Sequence, residues 1–251
     1  MTGTLWIVGL GPGAPEHRTG AAATAVKGAD AVVGYGPYVD QCADLLAPRQ
    51  RVVRGTMGEE GRRADEALQL AAAGDRVALV SSGDAGVHGM AARTLARAAA
   101  LPEHERPHVE VIPGVTAALA AAALVGAPLS DDFAVLSLSD HHLAWEQVQR
   151  RLTAVAQAGL ALALYNPCST RRTEQFDRAL EVLGRWREPG TPVRLVHDAG
   201  RPAELVEQTT LGGLDPARVT MRTLVLVAGE GANEAGGWLV AERGAPVEAR
   251  P

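Results

Sequence analysis

Strand-like apolar runs alternate with helical patterns from the N-terminus onward, and in the first half the runs end in glycine. "TLWIVGLG" reads as a strand and "HRTGAAATAVKGA" as the helix after it. "DAVVGYG" is then a strand and "PYVDQCADLL" a helix. "RRADEALQLAAAG" reads as a helix, "DRVALVSSG" as a strand and "GMAARTLARAAA" as a helix, followed by the strand "HVEVIPG" and the helix "VTAALAAAALVG". Several of these strands lack polar alternation, as a sheet covered on both faces requires. Regular strand–helix alternation predicts an open, parallel α/β sheet.

The texture changes near "GAPLSDDF". Strand "FAVLSLSD", helix "AWEQVQRRLTAVAQAG", strand "LALALYNP" and helix "TRRTEQFDRALEVLGRW" follow, then strands "PVRLVHDAG", "AELVEQTTL" and "RTLVLVAGE". No crossover helix fits between "VRLVHDAGRP" and "ELVEQTTL", so those two are antiparallel neighbours and the second sheet is mixed. The expected organisation is an α/β domain over residues 1–127, a second α/β domain over 128–242, a boundary between Gly126 and Asp131, and a frayed tail over 243–251.

A chain of 251 residues holds one large domain or two modest ones. Its 47% hydrophobic and 21% charged residues are those of a globular protein, and a net charge of −5 offers no basic field for nucleic acid or an anionic membrane. The two cysteines, Cys42 and Cys168, form no metal or redox motif. No signal peptide and no membrane-spanning run are visible, so a cytoplasmic protein is expected.

The glycine-marked strand ends carry the functional signal. "GLGPGA" nearly fits a dinucleotide fingerprint, but Pro12 removes an N–H from the turn that would cradle a pyrophosphate, and no acid ends "AVVGYG" where a ribose partner would stand. "SSGDAGVHGM" lacks the Gly-Lys-Ser/Thr of a phosphate loop. In it Asp84 either meets a ligand or caps the next helix, and His88 is an acid/base candidate against a bland structural role. In "VIPGVTAAL", Thr116 either caps a helix or touches a ligand. "ALYNPCSTRR" offers Tyr165 and Asn166, and places Arg171 and Arg172 in a helix's first turn, against its dipole, which hints at an anionic ligand; Arg201 of "HDAGRP" is positioned to join them.

Taken together, "VGLGPG", "SSGDAGVHGMA", "VIPGVTAALAAAALVGAPL", "DDFAVLSLSD", "ALYNPCSTRR" and "HDAGRP" resemble the tetrapyrrole methylases of corrin biosynthesis, over about Gly3 to Leu211. "GDAGVHGMA", "SLSD" and "ALYNPCSTRR" narrow the likeness to the ring-contracting branch, which methylates C-17 of the macrocycle. The resemblance implies two α/β domains with a cleft between them, a homodimer, and S-adenosylmethionine bound in that cleft and released as S-adenosylhomocysteine. Carried over by motif, it assigns to the cofactor Pro12, Ser82, Gly83, Asp84, Val87, Thr116, Ala117, Tyr165, Asn166, Ala199 and Gly200. It explains the glycines as room for backbone to approach the cofactor. Ring contraction requires proton transfer, for which His88, Asp84 and Tyr35 are candidates, and a carboxylate-rich tetrapyrrole suits Arg171, Arg172, Arg201 and Arg54 as a positive rim. No metal site and no iron–sulfur cofactor are expected. The sequence departs from the family pattern after "RTLVLVA", where it reads "GEGANEAGG", and at "AERGAP". Two other readings stay open: a methylase of the same fold acting on another tetrapyrrole or a macromolecule, and a nicotinamide-dependent or nucleotide-binding protein.

Overall fold

A computed structural model describes residues 2–141, 143–169 and 174–244. The chain divides into two compact units, Met1–Ala117 and Ala118–Pro251. The division falls just inside the helix read from "VTAALAAAALVG".

In the first unit the elements run β1 (Thr4–Gly9), α1 (Gly20–Gly28), β2 (Ala31–Tyr35), α2 (Gly36–Gln41), β3 (Arg51–Gly55), α3 (Glu60–Ala72), β4 (Arg76–Ser81), α4 (Ala91–Ala99) and β5 (His108–Ile112). The five strands pair in the order β3-β2-β4-β1-β5, every pairing parallel. Successive side chains leave a strand on opposite faces, so a run that is apolar throughout needs two cores. The structure supplies both. Leu5, Ile7, Val33, Val77 and Leu79 pack with Ala64, Ala67 and Leu68 of α3 and Ala91 and Ala98 of α4. Val8, Val32, Ala78 and Val80 pack with Ala22, Ala25 and Val26 of α1 and Val39 of α2. The alanines let those helices lie close to the sheet, and each buried Val or Leu contributes roughly 1.5–3 kcal/mol.

The second unit holds α5 (Ala117–Val125, beginning at the division), β6 (Gly126–Ala127), β7 (Phe133–Ser137), α6 (Trp145–Gln157), β8 (Ala161–Tyr165), α7 (Gln175–Gly184), β9 (Pro192–His197), β10 (Leu205–Thr210), β11 (Thr223–Val227), β12 (Asn233–Ala235) and β13 (Trp238–Val240). Its main sheet has the order β10-β9-β11-β8-β7. Only β7 and β8 are parallel there; β9 pairs antiparallel with both β10 and β11, as the short "DAGRPAE" connection requires. One face packs Leu162, Leu164, Val193, Leu195, Val225 and Val227 on Val148 and Leu152 of α6 and Phe176 and Leu183 of α7. A small sheet, β12-β13-β6, uses the atypical "ANEAGGWLV" segment. Neither this sheet nor β3 is expected from sequence pattern: β3 is a five-residue edge strand bracketed by arginines, and the small strands run two or three residues.

Candidate functional site

Topology picks out one place on the first sheet. β1 and β4 are neighbours, yet the helix after β1 packs on one face and the helix after β4 on the other. Their carboxyl ends therefore send the chain to opposite faces of the sheet, the switch point at which α/β sheets bind ligands. The chains stay joined one step beyond the strands: Gly11 N–H donates to Gly83 O at 3.0 Å, and Gly83 N–H to Gly11 O at 2.7 Å. Pro12 is buried directly after this bridge, Ser82 Oγ lies 3.4 Å from Gly11 O, and Gln41 Nε2 donates to that same carbonyl at 2.8 Å.

The glycines here have a different reason from the expected one. A Cβ on Gly9 would meet Gly114 N and Gly83 O, both at 2.8 Å, and one on Gly114 would meet Gly83 O at 2.3 Å and Gly9 C at 2.7 Å. Gly9 and Gly114 are glycine because three strand-end backbones pack on one another, not to clear room for a ligand. Gly83 differs: its φ is +66° and a Cβ there would only touch Thr116 Cα and Ala117 N, each at 3.8 Å. The second and third motifs thus meet, with Gly83, Thr116 and Ala117 as immediate neighbours.

Asp84 is fully engaged in holding this arrangement. One carboxylate oxygen accepts from Gly86 N–H at 2.7 Å and the other from Gly114 N–H at 2.9 Å. It does not cap the next helix, whose N-cap is Met90 with no side-chain bond. A carboxylate bonded through both oxygens to backbone donors is a clamp on the strand ends.

His88 is the chemically unusual residue of the loop. It is solvent-exposed and non-glycine, yet held at φ +54°, a conformation disfavoured for side-chain-bearing residues. Partial desolvation by the surrounding loop pushes its pKa below the ordinary histidine value, favouring the neutral base. Val87 precedes it, its N–H donating to Asp84 O at 3.3 Å. Tyr35, at the end of β2, stacks edge-on against Tyr38 with centroids 5.2 Å apart, and the Arg63 guanidinium lies 6.0 Å from its ring centre. Arg54, expected on the substrate rim, is paired: Nη2 donates to Asp40 Oδ1 at 2.7 Å, which raises the arginine's pKa.

In the second unit, Tyr165 ends β8 and its hydroxyl accepts from Ala118 N–H in the first turn of α5 at 2.7 Å. Asn166 follows at φ +51° and donates to Ser137 Oγ at 3.0 Å. Ala199 and Gly200 are buried in the turn after β9, with Gly200 at φ +70° and its N–H donating to Glu204 Oε2 at 2.7 Å. Arg201 N–H donates to Asp198 O at 2.9 Å. Arg171 and Arg172 lie outside the described residues. Sequence reasoning missed Asp198, which sits at φ +48° with its carboxylate on Arg222. An Asp two residues before a glycine, at the end of an apolar strand, was the available signal, because Asp and Asn tolerate the left-handed region.

The model of the tetrapyrrole (corrin/porphyrin) methylases matches residues 4–215, a span that includes the ends of β1, β4, β5, β8 and β9. The chain belongs to the tetrapyrrole methylase family. Among curated relatives, this methylase is 43% identical over 228 residues to a precorrin-3B C(17)-methyltransferase of Sinorhizobium sp, covering 90% of this chain and 89% of that protein. It is 42% identical over 229 residues to a cobalt-factor III methyltransferase of Priestia megaterium, covering 90% of this chain but only 42% of that longer protein. Of solved structures, the methyltransferase CobJ superposes with a TM-score of 0.91 at 37% identity, covering 96% of this chain and all of that one. A Thermus thermophilus uroporphyrin-III C-methyltransferase complexed with S-adenosylhomocysteine shares the fold, at TM-score 0.70 and 24% identity, over 90% of this chain and 92% of that one. No helix among the described residues is long and apolar enough to cross a membrane.

Proposed function

We propose that this methylase transfers a methyl group from S-adenosylmethionine to C-17 of precorrin-3B, or of its cobalt form, with ring contraction to precorrin-4 in cobalamin biosynthesis. The observation that carries the reading is the meeting of Gly11–Pro12, Ser82–Gly83 and Thr116–Ala117 at the β1/β4 switch point of a chain with this family membership. That edge is built of mutually bonded backbone, the hydroxyls of Ser82 and Thr116, and small side chains. Such a donor set fits a flat, uncharged adenosine with an amino-acid tail better than it fits a pyrophosphate, which needs an uninterrupted row of N–H groups.

In this reading Pro12, Ser82, Gly83, Val87, Thr116 and Ala117 hold the cofactor, with Tyr165, Asn166, Ala199 and Gly200 contributing further contacts. The cofactor supplies an electrophilic methyl on a sulfonium, so no protein nucleophile is needed. What the chain supplies is alignment. Asp84 takes the part of a clamp that keeps the strand ends in register. His88 takes the acid/base role in ring contraction, being the histidine of this loop and favoured in its neutral form. Tyr35 stands further back, among aromatic and cationic neighbours. The substrate's carboxylates are the partners assigned to Arg171, Arg172 and Arg201, and Arg54 joins them only by exchanging Asp40 for a substrate carboxylate. The working form is a cytoplasmic homodimer.

Incubation of the purified protein with S-adenosylmethionine and precorrin-3B, then with the cobalt form, tests the assignment by mass spectrometry. One added methyl on either macrocycle is expected. Transfer to neither, or tight binding of NAD with none of S-adenosylhomocysteine, rejects it.

A further inference from the structure

The end of β9 carries a polar cluster that cofactor contact alone does not use. His197 is the strand's last residue, and its side chain is 13% exposed. Nε2 lies 2.9 Å from Glu207 Oε1, and Nδ1 lies 2.9 Å from Thr223 Oγ1. Thr223 is the direct cross-strand partner of His197 on β11; Glu207 stands two residues along β10 from its other partner, Leu205. Glu207 also pairs with Arg218, and Thr223 Oγ1 accepts Thr220 N–H at 2.8 Å. The proton positions follow from donor capacity. A carboxylate only accepts, so Nε2 bears the hydrogen; in the neutral ring Nδ1 then accepts from the Thr223 hydroxyl. Each member of the chain Thr220–Thr223–His197–Glu207–Arg218 is thereby partnered, and the ring is fixed in one tautomer and one orientation.

The chain then turns sharply. Asp198 at φ +48° and Gly200 at φ +70° place two left-handed residues within three positions. Asp198 is tied to Arg222 through its carboxylate and through its N–H, which donates to Arg222 O at 3.1 Å. Gly200 is tied to Glu204. A disfavoured turn persists only where its surroundings over-determine it, and the residue from which this one departs is His197, whose ring is held on both nitrogens.

We propose that His197 is a positioning residue: clamped between Glu207 and Thr223, it sets the Asp198–Gly200 turn and through it the affinity for the adenosine part of the cofactor. The proposal rests on the reading that Ala199 and Gly200 meet S-adenosylmethionine. His197 itself touches no reactant and transfers no proton.

Half-isosteres dissect the clamp. In His197→Asn the amide takes the place of Nδ1 and keeps Thr223; in His197→Gln it reaches the place of Nε2 and keeps Glu207. Calorimetric titration with S-adenosylhomocysteine is expected to show about tenfold weaker binding for His197→Ala, the loss expected from one hydrogen bond to a charged group. His197→Gln should recover most of it and His197→Asn little, because the charged partner makes the stronger bond. Thr223→Val, which removes the Nδ1 partner and the acceptor of Thr220 N–H but leaves Glu207 on the ring, should stay within about threefold of wild type. Melting curves run alongside. If His197→Ala lowers the melting temperature but binds S-adenosylhomocysteine like the wild type, or if Gln rescues no better than Asn, the histidine is merely structural and the proposal fails. A wild-type protein that does not bind S-adenosylhomocysteine at all rejects the cofactor reading first, and the clamp's role with it.

Discussion

Gly114→Ala is the sharpest test of the strand-end packing. The new Cβ would sit 2.3 Å from Gly83 O and 2.7 Å from both C and O of Gly9. All three are backbone atoms in or beside paired strands, so no flexible side chain can swing away. Overpacking of this kind costs roughly 1–3 kcal/mol. Relief requires moving residue 114 outward, which breaks its N–H bond to Asp84 Oδ2 at 2.9 Å. A hydrogen bond to a charged group adds about 1.5–3 kcal/mol, so the expected loss is roughly 2.5–6 kcal/mol. Gly83→Ala is the control. There the Cβ meets nothing nearer than 3.8 Å, and the penalty is the left-handed φ alone, about 1–2 kcal/mol. Urea unfolding followed by far-ultraviolet circular dichroism gives both values from the midpoint at constant slope. If Gly114→Ala costs less than Gly83→Ala, mutual glycine packing is not what holds these three strand ends together.

Two further outcomes follow from titration. His88 has a folded pKa below its ordinary value of 6.5, so the unfolded chain binds its proton more readily. Stability at this locus is whole above pH 6.5 and falls as the pH drops below it. His88→Asn, which tolerates the left-handed φ, should flatten that slope in urea midpoints taken between about pH 5 and 7.5; parallel curves for variant and wild type would refute the desolvated environment. Burial pushes the Cys42 thiol up to about 11. Since the thiolate is the reactive form, iodoacetamide at about pH 8 should leave Cys42 unmodified in the native protein and alkylate it in urea, read by peptide mass spectrometry; labelling at the rate of an exposed thiol would contradict its burial.

How far these features could be read from sequence depends on whether their cause is local. β1, β2 and β4 are legible because apolar residues on both strand faces leave an unbroken run that only a two-sided core explains. β3 is not, because "RVVRG" becomes a strand only through its register with Ala31–Tyr35. The glycines show the same split within a single residue type. Their positions in "GLGPG", "SSGDAG" and "VIPG" are legible as strand ends, but the reason for Gly9 and Gly114 appears only when β1 is seen beside both β4 and β5. Asp84 read locally is either a ligand contact or a helix cap; in space it bonds a glycine thirty positions away. Arg54 read by charge is a free cation; in space it belongs to Asp40.

The packed glycines also limit how this site can vary. Where backbone lies on backbone, no side chain can be added at Gly9 or Gly114 without moving a strand, so this edge offers any ligand the same surface of amides and carbonyls. Chemical individuality at this edge must then come from the side chains beside it in the first unit, Ser82, His88 and Thr116. Asn166, Asp198 and His88 are the non-glycine residues held at positive φ among the described residues; Asn166 and Asp198 directly follow the carboxyl ends of β8 and β9, and His88 lies in the loop after β4. Strain concentrated at such ends is affordable only on rigid supports, and the glycine contact and the His197 clamp are two such supports built by different means.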